Sequence, residues 1–138
     1  MIVAVGVGVA CAGVSAVSAR QARAAPDGIY SASQASRGEA LFKANCQACH
    51  GAQLTGTEFA PGLTGVEFSA RWRGRAVGEL FDLMRATMPM NSPGGLSAQQ
   101  NADILAFLLM KAGIPAGKAD LPSASDALHP IKIPPSRP

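Results

Sequence analysis

Residues Cys46-Gln47-Ala48-Cys49-His50 constrain this chain more than any other feature in it. Two thiols three residues apart, at the end of a helical segment, can reach the two vinyl groups of one porphyrin and form thioethers with them. The imidazole that follows is then carried beneath the ring, where it can bind iron. C-x-x-C-H is on this ground the signature of covalent haem attachment. A redox dithiol of the thioredoxin kind needs a strand before it and a βαβ context, whereas a helical pattern precedes Cys46. A zinc site needs further ligands, and the only other histidine, His129, lies in a proline-rich segment far along the chain.

The 138 residues divide unequally. Met1 to about Ala19 is an uncharged run of Val, Ala, Gly and Ser, too short and too rich in Gly for a transmembrane helix. It reads as the apolar part of a secretory signal, with Ala22-Arg23-Ala24 as the small-x-small cleavage pattern, although no Lys or Arg precedes the run. Residues 1–24 are expected to be a signal peptide cleaved near Ala24, which places the mature protein in the periplasm, away from the membrane unless the leader is retained. Cys11 is then an inert leader residue, and the mature chain holds only Cys46 and Cys49. Two cysteines three apart in an exported chain are no disulfide framework, so they call for cofactor chemistry. Removing Arg20 and Arg23 with the leader lowers the net charge from +3 to +1. One short basic cluster, Arg71-Trp72-Arg73-Gly74-Arg75, cannot span many phosphates, so a nucleic-acid partner is not expected. The remaining length suits one domain, and the sequence shows no internal repeat.

Residues 25–115 are expected to form that domain. From Ser33 to about Asn45, Ala35, Gly38, Leu41 and Phe42 recur at helical steps. Gly51 to Gly78, with Pro61 and several glycines, keeps no period and reads as a long ordered loop, as wrapping around a cofactor requires. A second helix runs from about Val77 to Ala86 with Leu80, Phe81, Leu83 and Met84 inward, and stops before Pro89. Ser97 with Gln100 forms a capping box for a third, which Gly113 and Pro115 end. Residues 116–138 hold five prolines and no helical period, so they are expected to be an extended strap or a disordered tail. Seven aromatic rings are few for such a core. A porphyrin plate compensates, and the fold is expected to depend on it.

An iron that shuttles electrons takes a second axial ligand, and Met is the usual partner of His where the potential is high. Met84 and Met110 fall within helices, where packing explains them. Met88 and Met90 remain, in Thr87-Met88-Pro89-Met90, where Pro89 stiffens the backbone. Met88 is favoured over Met90. His129 is not expected as a ligand, because no element is foreseen to hold it.

The chain resembles the class I c-type cytochromes over about residues 30–112. The resemblance rests on Gly38 and Phe42, Cys46-Gln47-Ala48-Cys49-His50-Gly51, Pro61-Gly62-Leu63, Met88-Pro89 and Asp103-Ile104-Leu105-Ala106-Phe107-Leu108-Leu109. The stretch from Met88 to Ser97 is similar to cytochrome domains that serve periplasmic quinoprotein alcohol dehydrogenases. The resemblance implies an all-α cytochrome c fold, with about three main helices and long loops around one covalently bound haem c. It implies that the first and last helices cross at Gly38, with Phe42 packed on Phe107, and that the Pro61 carbonyl accepts a hydrogen bond from iron-bound His50. It also implies that Trp72 lies against the haem or a propionate, to which Arg71, Arg73 or Arg75 would pair.

The function expected is a monohaem electron carrier, with Cys46, Cys49, His50, Met88, Pro61 and Trp72 around the cofactor and His50 and Met88 on the iron. No side chain is needed as acid, base or nucleophile, so the chain is read as a carrier and not an enzyme. Its partners would be redox proteins, a periplasmic dehydrogenase as donor and an oxidase or another cytochrome as acceptor. A permanent cytochrome subunit of a dehydrogenase is a variant of this reading. The alternative is a haem enzyme or sensor whose sixth position is open, which would give a high-spin ferric spectrum and bind carbon monoxide rapidly.

Overall fold

The computed structural model describes residues 28–134, so the leader, its cleavage position and the last four residues lie outside it. Six helices follow in order: α1 (Ala32–Asn45), α2 (Gln47–His50), α3 (Gly65–Trp72), α4 (Val77–Thr87), α5 (Ala98–Lys111) and α6 (Ser125–Leu128). Among the described residues there is no strand, only two isolated bridges. The all-α architecture is as expected.

α1 begins where the Ser31 hydroxyl accepts the Gln34 amide proton at 3.1 Å, satisfying one of the free N–H groups of its first turn. α5 begins with the foreseen capping box: the Ser97 hydroxyl accepts from Gln100 N, and the Gln100 side chain accepts from Ser97 N. α5 is closed just past its end by Gly113, whose φ of +81° turns the chain back, with Gly113 N–H bonded to Met110 O and Ile114 N–H to Leu109 O. That reciprocal pair is a Schellman closure, and Ile114 beyond it is buried.

The principal interhelical interface joins α1 to α5. It depends on Gly38: a Cβ there would lie 1.9 Å from the Asp103 carbonyl oxygen and 3.0 Å from Phe107 Cβ. One turn on, Phe42 and Phe107 pack with ring centroids 5.3 Å apart. At the rim of the same interface Arg37 makes a forked bond to Asp103 at 3.0 and 3.1 Å and reaches Asp120 at 2.7 Å. The core has two parts. Phe42, Leu54, Ile104, Phe107 and Leu108 lie beneath Cys46. A larger cluster includes Tyr30, Phe68, Trp72, Val77, Phe81 and Leu105.

Two local expectations are corrected, and for the segment after Pro115 one of the two alternatives, the strap, is the one found. The glycine-rich loop is interrupted by α3, because Phe68 and Trp72, four apart, share one buried side of a helix too short for a period to register among the glycines. On α4, Leu83 is exposed, since the buried side runs through Val77, Leu80 and Phe81 with Met84 partly buried. The segment after Pro115 is an ordered strap through Pro134 that includes α6, with Leu121, Leu128 and Ile133 buried in the same core. Gln34 clasps its beginning, donating to Leu121 O at 3.1 Å and accepting from Leu121 N at 2.6 Å.

Candidate functional site

α1 stops at Cys46, whose φ of −127° leaves the helical region, and the chain resumes as the single turn of α2. Cys46 N–H still bonds to Phe42 O at 2.8 Å, and His50 N–H bonds to Cys46 O at 3.0 Å, so this turn is welded to the end of α1. Gly51 ends it at φ +78°. Cys46 and Cys49 are both free thiols, the first half-buried against the Phe42–Phe107 cluster and the second exposed. Burial, with a smaller contribution from neighbouring Cys49, pushes the Cys46 thiol up to about 11. Reactive redox thiols are activated in the opposite direction. Among the described residues no cluster of three or more metal-ligating His, Cys, Asp or Glu exists either, so neither the redox-dithiol nor the zinc rival gains support.

The loop after Gly51 folds back on the turn. Thr57 Oγ1 donates to Cys49 O at 2.6 Å, Gly56 N–H to His50 O at 3.1 Å, and Leu63 N–H to Leu54 O at 2.8 Å. Leu54 adopts a left-handed φ of +57°, a conformation that costs a bulky L-residue roughly 1–2 kcal/mol. Its side chain, 1% exposed, fills the cluster under Cys46, which offsets that cost. The outcome is that Pro61 O lies 2.8 Å from His50 Nδ1. A carbonyl can only accept, so Nδ1 carries a proton, and in the neutral imidazole, the form that binds a metal, the lone pair is then on Nε2. His50 as a whole is 6% exposed. Neither Leu54 nor Thr57 was foreseen as support for the site; a loop Leu between Gln and Thr carries no signal in one sequence.

Met88 is the C-cap of α4, half-buried, with its N–H on Met84 O at 2.8 Å. Met90 is 73% exposed. Trp72 is placed differently from the other predicted residues. Its indole belongs to the larger cluster, not the one beneath Cys46, and packs on Phe68 with Arg75 over its face at 4.5 Å. Arg75 is further tied to Glu79, whose carboxyl it holds below the usual range. Arg73 has no carboxylate partner among the described residues. His129, expected to lack support, is held by α6 and by Asp82 at 2.9 Å, so its ring is committed to α4.

The donor set suits haem c. It comprises two thiols one turn apart and an adjacent imidazole whose Nδ1 is anchored on Pro61 O. The fold and this site define a class I c-type cytochrome. The family of cbb3-type cytochrome c oxidase subunit III matches residues 33–108, more than half of the chain, and the chain belongs to that family of c-type cytochrome domains. Haem-based electron transfer and haem c follow from this membership. No curated protein matches the chain. Among solved structures it is similar to the sulfane dehydrogenase SoxCD from Paracoccus pantotrophus, at 24% identity and a TM-score of 0.53, over 72% of this chain and 53% of that one. The chain thus spans about half the length of that protein's chain, and the likeness is one of fold.

Proposed function

We propose that this chain is a periplasmic carrier of one electron on a single covalently attached haem c, ligated by His50 and Met88. A periplasmic dehydrogenase would be the donor and an oxidase or another cytochrome the acceptor. The observation that carries the reading is the 2.8 Å bond from His50 Nδ1 to Pro61 O, beside two free thiols on one turn. When bound, haem c supplies a one-electron ferrous–ferric couple.

Each residue has a definable task. Cys46 and Cys49 anchor the group to the end of α1, and the α1–α5 interface holds that anchor rigid. Pro61 O fixes the imidazole's orientation and raises the donor strength of Nε2. Met88 offers a neutral sulfur, which together with the apolar cluster under Cys46 favours the reduced state and raises the potential. Half-burial favours Met88 over the outward Met90. No proton needs to move at any side chain, so little reorganisation accompanies electron transfer.

The test is exported protein from a host with the maturation machinery, examined by intact mass and a pyridine haemochrome spectrum. One haem per chain, with the mass of the polypeptide beginning near Ala25 plus one haem, is expected. Colourless protein at the bare polypeptide mass refutes the proposal. A low-spin ferric spectrum with the weak sulfur-to-iron charge-transfer band is expected; a high-spin one that binds carbon monoxide rapidly favours the open-site alternative.

A further inference from the structure

Met88 departs from the last residue of α4, so whatever fixes α4 fixes the origin of that loop. The N-cap residue Ala76 has no side-chain acceptor of its own to hold the first turn. The strap supplies the missing partners. Val77 N–H donates to Ile131 O at 2.8 Å, and Ala76 and Lys132 form an antiparallel bridge. Gly74 N–H donates to Ile133 O, and Ile133 N–H to Arg75 O, both at 2.9 Å.

Further along the same helix, Asp82 receives two bonds from the strap. Ser125 Oγ donates to Oδ1 at 2.7 Å, and His129 Nε2 lies 2.9 Å from Oδ2. Gly78 makes the approach possible, since a Cβ there would sit 2.6 Å from His129 Cδ2 and 2.9 Å from its backbone nitrogen. Between the two contacts Leu128 is fully buried. The strap therefore grips the first half of α4, through backbone at its start and through Asp82 at mid-helix, and the helix itself carries that hold to Met88 at its end.

We propose that Asp82, Ser125 and His129 are positioning residues for the second axial ligand: the strap clamps α4 and so keeps Met88 in place to hold the iron. The proposal rests on the reading of Met88 as that ligand. A ligand on a loop competes with any other base in solution, and its advantage falls as the competent conformation becomes less populated. Loosening the clamp therefore opens the sixth position to competitors without touching either ligand.

The experiment uses the full haem-loaded chain and titrates imidazole into the ferric form at one pH. Loss of the sulfur-to-iron band is followed, alongside a thermal melt and the reduction potential. Asp82→Ala is expected to raise imidazole affinity by roughly tenfold or more and to lower the potential. Asp82→Asn, which keeps the shape and the Ser125 bond, should recover part of the loss. Gln34→Ala, which cuts the strap's other tether at Leu121, serves as the control for general destabilisation and should stay within roughly twofold of wild type. The clamp is overturned if Asp82→Ala binds imidazole as wild type does, or if both variants shift in proportion to their melting temperatures. If Asp82→Ala does not accumulate with haem, Ser125→Ala, which removes a single hydrogen bond, gives the same comparison. Met88→Ala separates the two failures. If the band survives in it, the ligand assignment and the clamp fall together; if the band vanishes but Asp82→Ala behaves as wild type, only the clamp falls.

Discussion

Replacing Gly38 with alanine sets two physical effects against each other, and the structure decides which wins. Helix propensity alone favours the change, by about 1 kcal/mol in a helix interior. The added methyl, however, would sit 1.9 Å from the Asp103 carbonyl oxygen, 2.5 Å from its carbon and 3.0 Å from Phe107 Cβ. Ordinary contact requires the two helices to separate by roughly 1.5–2 Å, and a backbone carbonyl cannot rotate aside as a side chain can. Overpacking of this kind costs about 3 kcal/mol, leaving a net loss of about 2 kcal/mol. For a domain of this size that corresponds to a fall in Tm of about 8 °C. Because Cys46 follows α1 directly, the same separation displaces the attachment turn from the cluster of Phe42, Leu54 and Phe107. Thermal melts of haem-loaded wild type and Gly38→Ala measure the effect. A variant that melts at the wild-type temperature or above would falsify the close approach, since propensity would then be the whole effect.

Three other outcomes are expected. Met88→Ala abolishes the sulfur-to-iron band, lowers the reduction potential and raises imidazole affinity by about tenfold or more, or about 1.4 kcal/mol; Met90→Ala leaves all three unchanged, and the reverse result would reassign the ligand. The Cys46→Ala, Cys49→Ala double variant gives a circular dichroism spectrum and a melt without native cooperativity, and a fully native apo spectrum would show that the plate is not needed for folding. The Asp120 carboxyl is held below its usual range by the Ser31 hydroxyl first and the Arg37 guanidinium second. Its folded pKa thus lies below the unfolded value, so its stabilisation is present above about pH 4 and is lost as pH falls through the folded pKa. Asp120→Asn should then lower Tm at near-neutral pH and narrow its drop on acidification; an unchanged drop would mean that the contact does not operate in solution.

What the amino-acid order determined on its own was chemistry at short range and patterns that repeat. Cys46, Cys49 and His50 lie within one turn, so their shared purpose is legible without any knowledge of the rest of the chain. The same holds for the cap at Ser97, the stop at Gly113 and the three longer helices, whose apolar faces recur often enough to be read. Gly38, Phe42, Phe107 and Pro61 became legible through the resemblance, because the motif told which fold to look for.

Only the tertiary structure decided the rest. The helix at 65–72 has too few residues for a period to stand out between glycines. The left-handed Leu54 looks like any loop leucine until the cluster it fills is assembled. Trp72 packs in the larger cluster against Phe68 and under Arg75, surroundings that no local pattern announces. The pairing of Asp82 with Ser125 and His129 joins residues 43 and 47 positions apart. Such contacts depend on where the backbone returns, and no local pattern encodes that. A proline-rich tail therefore became a clamp only once Leu121, Leu128 and Ile133 found a core in which to bury.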